Sequence, residues 1–185
     1  MNKIIRTEKG FANFMNESVK KFNEEYKAEV KEIDIPIIFK TKSEMNNALG
    51  GYVYEHDMMT GESKSYCFEF LKKMINNLTE EHLRTILLHE LGHYVTTELF
   101  GGQCNGGHSR KWEMICERLG LEEIAPTIKL SSKELGQKYT IYCPSCGKEL
   151  GGEDRMTKRK KDNFNNGNYH CMLCGNNHLE VRENY

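Results

Sequence analysis

The sequence predicts an α+β fold, in which helices pack on a small three-stranded antiparallel sheet and a small cysteine-rich module follows. Three observations lead to this prediction: helical periodicity at the start of the chain, three short strand-like runs after it, and two CxxCG segments near the end. A chain of 185 residues accommodates one domain with a small appendage. We therefore expect a domain over residues 1–130, and a linker and module over residues 131–185.

The first part of this domain is predicted to be one helix and three strands. Apolar residues recur three and four positions apart between Lys3 and about Val30, as on one face of a helix; they are Phe11, Phe14, Met15, Val19, Phe22 and Tyr26. Strand-like runs follow at residues 33–39, 48–56 and 66–70. A turn-like segment, Thr60–Ser63, separates the last two runs and predicts an antiparallel hairpin.

Two further helices are predicted after the strands. Thr79 is the expected N-cap of a helix that extends to about Leu99 and ends at a pair of glycines. A shorter helix is expected over residues 109–119. Residues 124–137 lack periodicity and are expected to form a linker.

Composition excludes several classes of protein. The chain has 26 Lys and Arg against 27 Asp and Glu, so its net charge of −1 excludes a nucleic-acid binder that depends on a global positive field. It lacks both a run of about 20 apolar residues and an apolar signal segment, which leads us to expect a cytoplasmic protein with no membrane partner. Seven cysteines, an odd number, favour thiols or metal ligands over a disulfide framework.

The strongest chemical signal is the segment HELGH at residues 89–93. Positions four apart lie about 40° from each other around a helix, so His89 and His93 can bind one metal ion. Glu90 lies about 100° away, near enough to reach water at the metal without being a ligand. Zn²⁺ in such a site activates water and Glu90 is the predicted catalytic residue, a general base for peptide hydrolysis. Gly92 indicates close approach of another element.

A catalytic zinc ion usually has three protein ligands and one open position. His108 is the favoured third ligand because it follows a glycine-rich loop and stands at the start of the next helix, where packing of Trp112 and Ile115 is expected to fix its position. Glu98, Cys104 and His56 remain alternatives, although Glu98 is expected to point away from the metal. Cys104 also permits a second hypothesis, in which it occupies the open position and blocks water.

The two CxxCG segments predict a structural zinc site. Two thiolates separated by two residues converge on one ion, and the following glycine allows the tight turn. The expected ligands are Cys143, Cys146, Cys171 and Cys174. His170 and His178 are possible substitute ligands, a redox role is disfavoured because no βαβ pattern surrounds the pairs, and Cys67 and Cys116 are expected to be buried.

A run of positive charge lies between the cysteine pairs. Its members, which we predict as nucleic-acid contacts, are Arg155, Lys158, Arg159, Lys160 and Lys161. Phe164 and Tyr169 lie nearby and agree with this interpretation, and a merely solvated loop is the alternative.

These features together resemble the SprT-like zinc metallopeptidases, the group that includes the Spartan DNA–protein crosslink proteases. The resemblance depends on residues 85–94 (TILLHELGHY), on residues 107–112 (GHSRKW) and on the two cysteine pairs. One departure is Ser109, where the family commonly has glycine.

The resemblance implies a zincin-like SprT domain followed by a Cys₄ zinc ribbon, with one catalytic and one structural zinc ion. It implies cleavage of DNA-bound or DNA-crosslinked proteins, hence a role in crosslink repair, with the ribbon assisting DNA binding. It also implies that an edge strand holds extended substrate by backbone pairing, for which Tyr66–Phe70 is the candidate.

A second class of function is a non-catalytic, zinc-containing nucleic-acid-binding or transcription-associated protein. In that case the ribbon is the functional part and the HELGH zinc is structural. Glu90 favours the enzyme, because a purely structural site does not need a carboxylate beside its ligands.

Overall fold

The computed structural model describes residues 3–46, 48–102, 108–121 and 130–185. The chain divides into two compact units, Met1–Thr127 and Ile128–Tyr185. The first unit contains helices and a small sheet, and the second contains one helix and a small sheet, which confirms the predicted α+β class. No helix within these ranges is long and apolar enough to cross a membrane.

The first unit contains four helices and a three-stranded sheet within the described residues. In chain order the elements are α1 (Glu8–Tyr26), β1 (Ile37–Lys40), β2 (Gly50–His56), β3 (Ser63–Leu71), α2 (Met74–Asn77), α3 (Glu80–Phe100) and α4 (Arg110–Arg118).

Helix α1 forms where the apolar periodicity predicted it. The side chain of Thr7 caps its start by accepting a hydrogen bond from the backbone N–H of Gly10, and Lys27 ends it in the left-handed conformation. Its buried face consists of Gly10, Phe11, Met15, Val19 and Phe22. The Phe11 ring packs edge-on against Phe39 and Phe70, so α1 covers one face of the sheet.

The sheet has the order β1-β3-β2. The predicted antiparallel hairpin of β2 and β3 is confirmed, with Tyr52 opposite Phe68. The prediction of a wholly antiparallel sheet is wrong, because β1 pairs with β3 in parallel. Strand β3 takes the centre because its second half is buried, and the chain must cross from β1 to the far edge before the hairpin brings it back.

The position of β3 also corrects the prediction for the substrate-binding strand. Tyr66–Phe70 lies in the central strand, where Phe68–Phe70 pair with β1 on one side and β2 on the other, so the segment is not an edge strand. The edge strand that contacts α3 is β2. Sequence alternation indicated which segments were strands but carried no information about their order.

Helix α3 is the central helix of the first unit. The Thr79 side chain accepts a hydrogen bond from the N–H of His82, which confirms the predicted N-cap. Its buried residues occupy most of its circumference, including Leu83, Leu87 and Leu91. The HELGH segment is therefore held within a rigid core element.

Helix α4 packs closely on α3. The Ser109 side chain caps it by accepting a hydrogen bond from the N–H of Trp112. A Cβ atom on Gly92 would lie 2.4 Å from Cys116 Sγ and 3.1 Å from Trp112 Nε1. The close approach that the sequence indicated at Gly92 is thus the contact between these two helices.

The second unit is a three-stranded antiparallel sheet with one helix. Its elements are β4 (Tyr139–Cys143), β5 (Lys148–Glu153), α5 (Lys158–Asn165) and β6 (Glu180–Glu183), with strand order β5-β4-β6. The small core consists of Ile141, Cys143, Phe164, Cys171 and Leu179. Residues 130–137 of the predicted linker belong to this unit, where Ser132 donates to the Glu149 carboxylate.

Candidate metal centres

Three histidines converge in the first unit. His89 and His93 project from the same side of α3, and His108 stands two residues before α4. Each offers a ring nitrogen, and these nitrogens lie within 4.8 Å of one another. Nε2 of His89 and Nε2 of His108 are 3.2 Å apart. Tetrahedral zinc with Zn–N distances of about 2.0–2.1 Å separates its nitrogen ligands by about 3.3 Å, so this donor set fits zinc.

The environment of His89 favours metal binding over protonation. Burial, together with the neighbouring His93 and His108, lowers the pKa of His89 to about 4. A neutral imidazole keeps a lone pair available for a metal ion, so His89 does not need to lose a proton at neutral pH.

Glu90 occupies a buried position between α3 and the edge strand β2. Its carboxylate accepts a hydrogen bond from the backbone N–H of Tyr52, and the residue is only 7% exposed. A Cβ atom on Gly50 would lie 2.9 Å from Glu90 Oε1. Burial raises the pKa of Glu90 to about 8. A carboxyl group with a pKa near neutrality can both take up and release a proton, as a general base and acid must.

Two other candidates for a third ligand, His56 and Glu98, lie apart from this cluster. His56 Nδ1 is 3.0 Å from Ser63 Oγ in the β2–β3 hairpin. Glu98 forms an ion pair with Lys31 at 3.6 Å. Cys104 lies outside the described residues, so the hypothesis that it blocks the open position stays a prediction. Of the candidates that are described, His108 is the one that joins His89 and His93.

Four cysteines converge in the second unit. They are the predicted Cys143, Cys146, Cys171 and Cys174. The Sγ atoms of Cys143 and Cys174 are 3.6 Å apart, and those of Cys146 and Cys171 are 3.7 Å apart. Tetrahedral zinc with Zn–S distances of about 2.3 Å separates its sulfur ligands by about 3.8 Å. This cluster therefore fits a structural zinc ribbon.

Hydrogen bonds around Cys143 support its thiolate form, whereas burial raises the pKa of Cys146 to about 12. The backbone N–H of Cys146 is the main cause that lowers the pKa of Cys143 to about 6, and Asn176 Nδ2 also donates to Cys143 Sγ. Neither His170 nor His178 belongs to the cluster of described residues that could hold this ion. Cys67 and Cys116 are buried, as expected.

The predicted basic residues lie on or just before a helix that the sequence interpretation missed. Thr157 caps α5 by accepting a hydrogen bond from the N–H of Lys160. Lys160 pairs with Glu153, whereas the remaining basic residues are exposed: Arg155, Lys158, Arg159 and Lys161. A small exposed surface of positive charge results.

Trp112 contacts the histidine rings from α4, in agreement with its predicted packing beside His108. Sequence interpretation missed two other residues that shape the site. Gly50 and Tyr52 contact Glu90 from β2. No local signal links Gly50 or Tyr52 to Glu90.

The described site combines a buried helical glutamate with three convergent histidines, the arrangement of a metallopeptidase-like domain. Comparison with known families agrees: the family model of the SprT-like family matches residues 15–133, more than half of the chain. The chain therefore belongs to the SprT-like family, as the motif resemblance predicted. Neither the curated proteins nor the solved structures contain a match to this chain.

Proposed function

We propose that the chain is a zinc-dependent endopeptidase that cleaves DNA-bound or DNA-crosslinked proteins. His89, His93 and His108 are the proposed ligands of the catalytic zinc, and the four cysteines hold a structural zinc. The observation that carries the proposal is the buried carboxyl group of Glu90, directly beside a ligand residue on α3. A structural metal site has no use for such a group.

Zinc bound at the histidines would supply a Lewis acid that polarises the scissile carbonyl and makes water more acidic. Glu90 performs the proton transfers: its carboxylate takes a proton from the attacking water and delivers it to the leaving nitrogen. The Tyr52 N–H orients this carboxylate, and burial brings its proton affinity close to that needed at neutral pH. Water is consumed, and a carboxylic acid and an amine are released.

Strand β2 is the proposed substrate-binding edge, in place of Tyr66–Phe70. It lies at the edge of the sheet and contacts α3. Backbone pairing with an extended substrate gives affinity with little dependence on side chains, so broad sequence tolerance is expected. Glu90 already occupies the N–H of Tyr52, so pairing would use the other backbone groups of β2.

DNA is the proposed second partner, bound through the second unit. Helix α5 and the residues just before it expose four positive side chains, as phosphate contact requires. Tyr169 is 45% exposed and its ring packs on Phe164, which leaves an aromatic surface beside the basic residues. Stacking on such a surface is a common way to bind single strands.

The exposed cations of α5 also favour the second candidate, a non-catalytic nucleic-acid-binding protein. Cleavage of a basic protein bound to single-stranded DNA, by zinc-loaded wild type, Glu90→Gln and Glu98→Gln, separates the two. Glu98 is a matched control on the same helix because it pairs with Lys31 outside the site. We expect Glu90→Gln to cleave the substrate about 10²–10⁴-fold more slowly than wild type and Glu98→Gln to retain activity.

Three results would contradict the proposal, in whole or in part. An inactive wild type that carries two zinc ions would favour the non-catalytic candidate. Equal cleavage by wild type and Glu90→Gln would remove Glu90 from the mechanism. Wild-type cleavage that is the same with and without DNA would leave the peptidase but remove the DNA-dependent substrate class.

A further inference from the structure

Trp112, the only tryptophan of the chain, contacts all three histidines. Its ring stacks on His108 at a centroid distance of 4.1 Å and an interplanar angle of 25°. The His93 ring is nearly parallel to it at 5.1 Å, and the His89 ring meets it at a steep angle at 4.8 Å. Trp112 itself is completely buried. One indole thus forms a common surface against the whole ligand set.

His108 is held in an unfavourable backbone conformation. Its φ of 59° lies in the left-handed region, which residues with a Cβ atom adopt at a cost. Such a conformation persists only where its surroundings enforce it. Within the described residues, the side-chain partners of His108 are His89, His93 and Trp112. The two histidines are fixed on α3, and Trp112 makes the closest ring contact.

The position of Trp112 is fixed by its packing against Gly92 of α3. Gly92 leaves the space that the indole and Cys116 occupy, since an added Cβ would lie 3.1 Å from Trp112 Nε1. This Nε1 is buried without a hydrogen-bond partner in the described part of the chain. The ring is therefore held by packing alone, and it offers its flat face rather than its N–H group to the site.

We propose that Trp112 is a positioning residue, which holds His108 in its left-handed conformation within reach of the metal bound by His89 and His93. The inference rests on the proposed function in that it takes the histidines to be metal ligands. Without the indole, the His108 side chain is expected to move away from the metal, which would then keep only the two nitrogen ligands of His89 and His93. Loss of such a supporting contact lowers metal affinity about 10–100-fold.

The test measures metal affinity at both centres of the full chain, by competition with a chromogenic chelator and by Co²⁺ absorption. The thiolate charge-transfer band of Co²⁺ belongs to the cysteine cluster only, which therefore serves as an internal control. We expect Trp112→Leu to weaken the histidine site about 10–100-fold and to leave the cysteine site unchanged. Trp112→Phe retains a smaller stacking ring and should lie between Trp112→Leu and wild type.

Two further variants separate positioning from general stability. Ile115→Ala removes an equally buried side chain of α4 and should lower stability without changing metal affinity. In the His108→Ala background, Trp112→Leu should cause no further loss, because the indole acts through His108. Emission from Trp112 gives an independent readout: Co²⁺ at the histidines should quench it in wild type.

The outcomes are distinguishable. Unchanged affinity in folded Trp112→Leu, or an additive loss in the double variant, would overturn the positioning role alone. If Trp112→Leu does not fold, Trp112→Phe decides, and unchanged affinity in that variant overturns the role. A wild type that binds metal only at the cysteines would overturn both the proposed function and this inference.

Discussion

Gly50 on β2 and Glu90 on α3 are packed so closely that a Cβ atom on Gly50 would lie 2.9 Å from both Cγ and Oε1 of Glu90. The neighbouring Gly51 has no such restriction, since nothing lies within 4 Å of its Cβ position. The edge strand therefore contributes to the site through the absence of a side chain. Because residue 50 is a glycine, the Glu90 carboxyl group has room to lie where it accepts a hydrogen bond from the Tyr52 N–H.

Gly50→Ala is expected to displace the Glu90 carboxyl group and lower kcat about 10- to 100-fold, because small displacements of a catalytic group are costly. Zinc content should stay at the wild-type level, since the three atoms nearest the added Cβ all belong to Glu90, which is not a proposed ligand. Peptidase assays with measured zinc content check this. Gly51→Ala is the matched control and should retain activity. Full activity of Gly50→Ala would mean that the position of Glu90 does not matter for catalysis.

Gly92→Ala is expected to destabilise the first unit. Alanine improves helix propensity by about 1 kcal/mol, but overpacking against Cys116 costs about 1–3 kcal/mol and should exceed this gain. Adding Cys116→Ala removes the nearest atom and should recover part of the loss. Urea unfolding followed by Trp112 emission measures all four members of this cycle. A Gly92→Ala variant as stable as wild type would contradict the close packing of α3 and α4.

Replacing three exposed cations of α5 should weaken DNA binding in a salt-dependent manner. The variant is Lys158→Gln, Arg159→Gln and Lys161→Gln, and its slope of log affinity against log salt should fall by about 2 for single-stranded DNA. The matched control makes the same change at Lys9, Lys20 and Lys21, which are exposed in the first unit. Equal slopes for the two variants would exclude α5 as the DNA contact.

The metal-free protein should lose stability between about pH 5 and pH 8 through Glu90. Its pKa rises from 4.5 to about 8 on folding, so its contribution to stability is complete below pH 4.5 and is lost as the pH rises through 8. His89 acts in the opposite direction, since its pKa falls from 6.5 to about 4 and its contribution is lost as the pH falls.

The difference between wild type and Glu90→Gln isolates the glutamate from these other groups. Relative to wild type, metal-free Glu90→Gln should become more stable as the pH rises from 5 to about 8. Unfolding curves from Trp112 emission at several pH values provide the measurement. A difference that does not change with pH would mean that Glu90 keeps its ordinary pKa in the folded protein.

Features set by local spacing were predictable from the sequence. The four-residue interval of His89 and His93 fixes their common helix face, and each CxxCG segment brings its own two sulfur atoms together. The N-caps Thr79 and Ser109 follow from the same local chemistry.

Features set by contacts through space were not predictable in this way. Alternation in the strands did not indicate their order in the sheet. The predictions of an antiparallel β1 and of Tyr66–Phe70 as the edge strand were therefore wrong. The helix α5 was missed because its run of charge contains a single buried apolar residue, Phe164. The contact between Gly50 and Glu90 joins residues 40 positions apart and leaves no local trace.

The central claim, a three-histidine zinc centre with Glu90 beside it, is tested most directly by anomalous diffraction at the zinc absorption edge from crystals of the full chain. The account predicts two peaks, one among the four cysteine sulfurs and one about 2.0–2.1 Å from nitrogens of His89, His93 and His108. The second should keep its fourth position open to solvent, with the Glu90 carboxyl group outside direct contact with the ion. A zinc ion bound directly by Glu90, or no zinc at the histidines, would contradict the account.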